Sequence, residues 1–100
     1  MKHLYVLRGH EPMAVTGPFQ WAKEFYQRDP HVAKTVIGDI TISTVFLGID
    51  HRFGAEGPPL LFETFVFGGW DHGSCLRSST WDEAEAYHEF LCARTRLQAT

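Results

Sequence analysis

Two β-branched runs, residues 32–37 and 40–49, are separated only by Gly38-Asp39. Valine, isoleucine and threonine are stiff at χ1 and suit a pleated, half-buried surface. A two-residue loop that begins with glycine supplies the positive φ a tight hairpin turn needs. The stretch therefore predicts an antiparallel hairpin at the centre of the fold, and the remaining elements must pack around it.

Residues 3–8 read as a strand. Leu4 and Val6 alternate with Tyr5 and Leu7, so both faces are apolar, as in a central strand. Residues 9–17 read mostly as loop, with 13–16 as a short strand. Pro18 suits the first turn of a helix, and Phe19, Ala22, Phe25 and Tyr26 form its apolar stripe. Asp29-Pro30 ends that helix, because the residue before proline is pushed out of the α region. Residues 60–67 read as a strand covered at least partly on both faces, and 75–78 as a further strand. Thr80 and Glu83 then form a capping box that opens the last helix. Asp82, Glu83 and Glu85 near its start and Arg94 and Arg96 near its end complement the helix dipole.

The order β-α-β-β-β-(β)-α predicts one α+β domain over residues 1–100, a mainly antiparallel sheet with two helices. The expected core is Leu4, Val6, Phe25, Ile42, Phe46, Leu61, Phe65, Ala84 and Leu91.

Of the 100 residues, 44% are hydrophobic and 14% aromatic, enough to form a core. The net charge of −3 makes direct nucleic-acid binding unlike this chain. No apolar run is long enough to span a membrane, and Met1-Lys2-His3-Leu4 does not read as a secretory signal. These readings predict a cytoplasmic protein with Cys75 and Cys92 as reduced thiols.

Six histidines raise the question of metal. Zinc sites draw ligands from paired spacings, and neither C-x-x-C nor H-E-x-x-H occurs. The nearest pattern is His88 with Cys92, four apart on the last helix. On that helix His88 falls within the stripe of Trp81, Ala84, Tyr87 and Leu91. The expectation is a packed face with His88 hydrogen-bonded and Cys92 filling space. No metal and no cofactor are expected. Nor is there a G-x-S-x-G elbow or a phosphate-binding glycine loop, so no catalytic residues are assigned.

Two Asp-His pairs are the sharpest polar features: Asp50-His51, followed by Arg52 and Phe53, and Asp71-His72, preceded by Trp70. These seven residues are the candidate binding set. A histidine beside an aspartate can act as a general base, whereas the plainer role is a turn in which aspartate bonds its own backbone. If residues 40–49 and 60–67 pair antiparallel, the two pairs fall at opposite ends of the sheet. The 50–59 loop is longer than a hairpin needs, which marks it as a contact surface or as self-bonded scaffolding. Trp21 at the flank of its helix stripe, Trp70 in a loop and Phe90 opposite the last helix's stripe are spare aromatics of the kind found at protein interfaces.

The string Ser43-Thr44-Val45-Phe46-Leu47-Gly48-Ile49-Asp50-His51-Arg52-Phe53-Gly54 is followed by Gly57-Pro58-Pro59-Leu60-Leu61-Phe62-Glu63-Thr64 and then by Val66-Phe67-Gly68-Gly69. With Ser79-Thr80-Trp81-Asp82-Glu83-Ala84-Glu85-Ala86, it resembles small bacteriophage and prophage proteins of no assigned activity, over roughly residues 30–90. The resemblance implies a stand-alone domain of phage origin. The expected function is an accessory protein that binds a host or phage protein, one form of which is inhibition of a host defence system in the manner of anti-CRISPR proteins. The alternatives are a small metal-dependent or hydrolytic enzyme built on the Asp-His pairs, and a structural homodimer or larger homo-oligomer.

Overall fold

A computed structural model describes residues 3–98. The chain runs β1 (Leu4–Arg8), β2 (Glu11–Val15), α1 (Pro18–Phe25), β3 (His31–Ile37), β4 (Ile40–Phe46), β5 (Phe62–Phe67), β6 (Cys75–Ser78) and α2 (Trp81–Gln98). The α+β class and the two helices are as expected. The strands, however, divide into two antiparallel sheets, β1-β2 and β3-β4-β5-β6.

The larger sheet grows from the predicted hairpin. Ile37 pairs with Ile40 across Gly38-Asp39, and Gly38 has φ +58°, as the first position of a type II′ turn requires. β5 then pairs with β4 from Thr41↔Phe67 to Phe46↔Phe62, and β6 pairs with β5. α2 packs across one face of all four strands. Its start is the expected capping box: the Glu83 amide donates to Thr80 Oγ1 at 3.1 Å, and the Thr80 amide donates to Glu83 Oε1 at 3.1 Å.

β1 is not a central strand. It forms a separate hairpin with β2, where Leu7 pairs with Pro12. Proline is tolerated there because β2 is an outer strand with no neighbour on its far side. Both faces of β1 are nonetheless used. Leu4 and Val6 form a small core with Val15 and Trp21, while Tyr5 and Leu7 pack towards Phe46 and Phe62. The hairpin joins the rest of the molecule at Gly48, whose carbonyl accepts from the Tyr5 amide at 2.9 Å.

Helix α1 is turned away from its predicted stripe. Phe19 and Tyr26 are exposed, and Trp21 points inward instead, its Nε1 donating to the carbonyls of Tyr5 at 3.0 Å and Gly48 at 2.9 Å. Phe25 stacks on Trp21 at 4.9 Å. A side chain at Gly48 would meet the Phe25 ring at 2.5 Å, so this junction excludes one. The two carbonyls that take up the indole belong to different elements and are brought together only by the docking of β1.

Of the expected core, Leu4, Val6, Ile42, Phe46, Leu61, Ala84 and Leu91 are buried, and Phe25 is half-buried. Phe65 is a correction. Phe62, Thr64 and Val66 face α2 and are buried, so Phe65 and Phe67 stand on the opposite face of the sheet, where no helix packs. α2 covers one face of the strand; on the other Phe65 is half-buried and Phe67 exposed.

Candidate functional site

The 50–59 loop closes on itself. Asp50 Oδ1 accepts from the amides of Arg52 and Leu60, both at 2.9 Å, in the turn role open to an aspartate. His51 Nδ1 lies 2.8 Å from the Ile49 carbonyl, and the His51 amide donates to the Leu60 carbonyl at 2.9 Å. Arg52 Nε donates to the Pro58 carbonyl. Asp50 and Arg52 thus have both ends of the loop in hand. Phe53, at φ +52°, is turned outward and exposed, with its ring 5.1 Å from His51.

The loop after β5 straddles the end of the sheet. Asp71 turns to the α2 side, where its carboxylate accepts from Arg94 Nε at 2.9 Å. His72 turns the other way. Its Nδ1 accepts from the Gly68 amide at 2.8 Å, and its ring meets the edge of Phe65 at 6.4 Å. Trp70 is 93% exposed. Neighbouring residues point apart here, so Asp71 and His72 form no dyad.

The two Asp-His loops do not meet. They leave opposite ends of β5, whose six residues span about 17 Å at strand rise. Among the described residues, no three His, Cys, Asp or Glu side chains gather as a metal site would require.

His88 is the polar centre of the interior, 2% exposed. Its Nε2 lies 2.8 Å from Thr35 Oγ1 and its Nδ1 2.8 Å from Thr44 Oγ1, which in turn lies 2.8 Å from Thr64 Oγ1. Both ring nitrogens are therefore occupied by hydroxyls, and neither is left for a metal. Burial holds the imidazole below its ordinary pKa, with the nearby Glu89 charge acting weakly the other way. Cys92 is buried beside Ile42, Val66 and Leu91, as a space-filling thiol. Cys75 is a free thiol on the outer sheet face, raised in pKa by burial and then by Glu63.

What the sequence reading missed is that outer face. Across the strands it carries Val36–Thr41–Phe67 in one row and Lys34–Ser43–Phe65–Cys75 in the next. Phe65 and Phe67 are 4.6 Å apart between ring centres; Val36 is 64% and Phe67 49% exposed. Glu63 and Arg77 pair at 3.2 Å at its border. The signal was present in the mixture of Lys34, Thr41, Ser43 and Glu63 on the same face, since such polar residues belong to a face that meets water. A cleft of about 280 Å³ lies where the β1-β2 turn meets the start of α2 and is lined by His10, Glu11, Thr80, Trp81 and Asp82. The His10 ring stacks on Trp81 at 3.7 Å and fills its apolar wall.

Among the described residues, no helix is long and apolar enough to cross a membrane. Comparison with protein-family models, curated proteins and solved structures finds no match to this chain.

Proposed function

We propose that this chain is a protein-binding accessory domain of phage or prophage origin that works in the host cytoplasm through the outer face of its four-stranded sheet. Inhibition of a host defence protein, in the anti-CRISPR manner, is its concrete form. The phage assignment rests on the motif string from Ser43 to Ala86. The observation that carries the binding role is the exposed apolar surface of Val36, Phe65 and Phe67 on a face that no helix covers. Interfaces are enriched in aromatic anchors set within a polar rim, and Lys34, Glu63 and Arg77 supply that rim. His72, from the predicted binding set, extends the same surface at the end of β5, and Trp70 of the same loop is exposed. At the other end of β5 the 50–59 loop leaves Phe53 exposed, with Asp50 and Arg52 spent on holding the loop's shape.

The test is capture of partners from a bacterial host lysate, comparing the wild-type chain with Val36→Asp/Phe67→Lys and with His51→Ala/Arg52→Ala. A protein retained by the wild type and lost with the first variant, at unchanged thermal stability, supports this surface. Equal retention by the first variant overturns it. Loss with the second variant alone moves the contact to the 50–59 loop.

A further inference from the structure

Helix α2 buries Ala84, His88, Leu91, Cys92 and Thr95 against the sheet. Its opposite side is apolar as well. Ala86, Phe90, Ala93 and Leu97 follow one another at spacings of four, three and four, and all are exposed, Phe90 at 54%. That spacing keeps four side chains on one line of a helix, the seam by which two helices pack knobs into holes. We infer that this seam pairs with the same seam of a second copy of the chain, the two α2 helices running antiparallel about a two-fold axis.

Size and charge both select that arrangement. In an antiparallel register centred between positions 91 and 92, Phe90 of one copy faces Ala93 of the other, and Leu97 faces Ala86. Each large side chain then meets a small one, which lets the axes approach to about 8 Å. A parallel pair would set Phe90 against Phe90 and leave Ala93 against Ala93. The flanks agree. α2 is acidic in its first half, with Asp82, Glu83, Glu85 and Glu89, and basic in its last, with Arg94 and Arg96. Antiparallel pairing lays each acidic half along a basic half, and Glu89 and Arg96, on one edge of the seam, come opposite each other twice through the two-fold axis. Among the described residues neither is in an ion pair within its own chain. On the other edge Tyr87 comes opposite Arg94, whose guanidinium already lies 5.4 Å over the Phe90 ring and is fixed by Asp71. The Asp71–Arg94 bond thereby shapes the rim of this interface.

The seam is about 17 Å long, short beside the interface of a permanent dimer, so the pair is reversible. It uses α2's outward side and leaves the outer sheet face open.

Sedimentation equilibrium of the full chain, from micromolar to millimolar, tests this. The wild type is expected to shift from one chain mass towards two. Phe90→Glu is expected to remain at one chain mass with an unchanged circular-dichroism melt. Glu89→Arg and Arg96→Glu each weaken the dimer through like charges across the seam, and the double variant restores it. A wild type that stays at one chain mass throughout overturns the inference. So does a dimer indifferent to Phe90→Glu, or a charge-swapped double variant no stronger than its parents.

Discussion

Both faces of the β3-β4-β5-β6 sheet mix polar with apolar side chains, and they accommodate the minority kind differently. The inner face sets three threonines around a histidine: buried Thr44 and half-buried Thr35 bond His88, and buried Thr64 bonds Thr44. The outer face leaves Phe65, Phe67 and Val36 in contact with water. Buried polar groups are tolerated where every donor and acceptor is matched, and the hydroxyl–imidazole chain achieves that across three strands and a helix. The apolar outer face has no such internal compensation. Polarity by itself therefore does not say which side of a strand is inside; the partner across the sheet does.

The sharpest way to break the comparison is to truncate one phenylalanine on each face. Phe62→Ala, on the inner face and fully buried, is expected to cost about 3–5 kcal/mol in a denaturant titration. Phe67→Ala, half exposed, is expected to cost less than about 1 kcal/mol. Equal losses would mean that the outer face is covered after all.

Next in size is the polar chain. His88→Leu keeps the volume approximately but leaves the Thr35 and Thr44 hydroxyls without their imidazole partner, an expected loss of about 1–3 kcal/mol. Thr44→Val removes the link between His88 and Thr64 and is expected to fall in the same range, of about 1–3 kcal/mol. If both substitutions are neutral, the network adds specificity rather than stability.

The smallest effect is one of pH. The unfolded chain takes up a proton on His88 near 6.5, whereas burial makes the folded protein resist it. The unfolded state therefore binds more protons below that pH. Stability is complete above about 6.5 and declines as the pH falls below it. Denaturant titrations at a series of pH values between neutral and mildly acid are expected to show that slope, and His88→Gln is expected to flatten it. A slope unchanged in His88→Gln assigns the effect elsewhere.

Locally encoded features were legible in the sequence. The Gly38-Asp39 turn, the Thr80/Glu83 box and the packed reading of His88 and Cys92 each depend on residues a few positions apart. The split into two sheets was not. Gly9-His10 is as short a turn as Gly38-Asp39, but Pro12 in the following strand masks it, and proline is acceptable only because β2 ends the sheet. Trp21 is the inward residue of α1 because two carbonyls from β1 and Gly48 wait for its indole nitrogen, a tertiary fact that helical periodicity does not contain. Phe65 was assigned to the core for a similar reason: both faces of 60–67 are apolar, and only the position of α2 chooses between them. The Asp-His loops were placed correctly at opposite ends of the sheet, because strand pairing order follows chain order there.

The strands β3 to β6 form an unbroken meander, each paired with its neighbour in the chain, and α2 closes directly upon them. Such contacts form over short loops and assemble quickly. The β1-β2-α1 segment, although it precedes β3 to β6 in the chain, is attached at Gly48, beyond β4. Its docking must therefore wait until that later segment is in place. The indole of Trp21 is the latch of that attachment, since its two bonds form only once Tyr5 and Gly48, far apart in the chain, have come together.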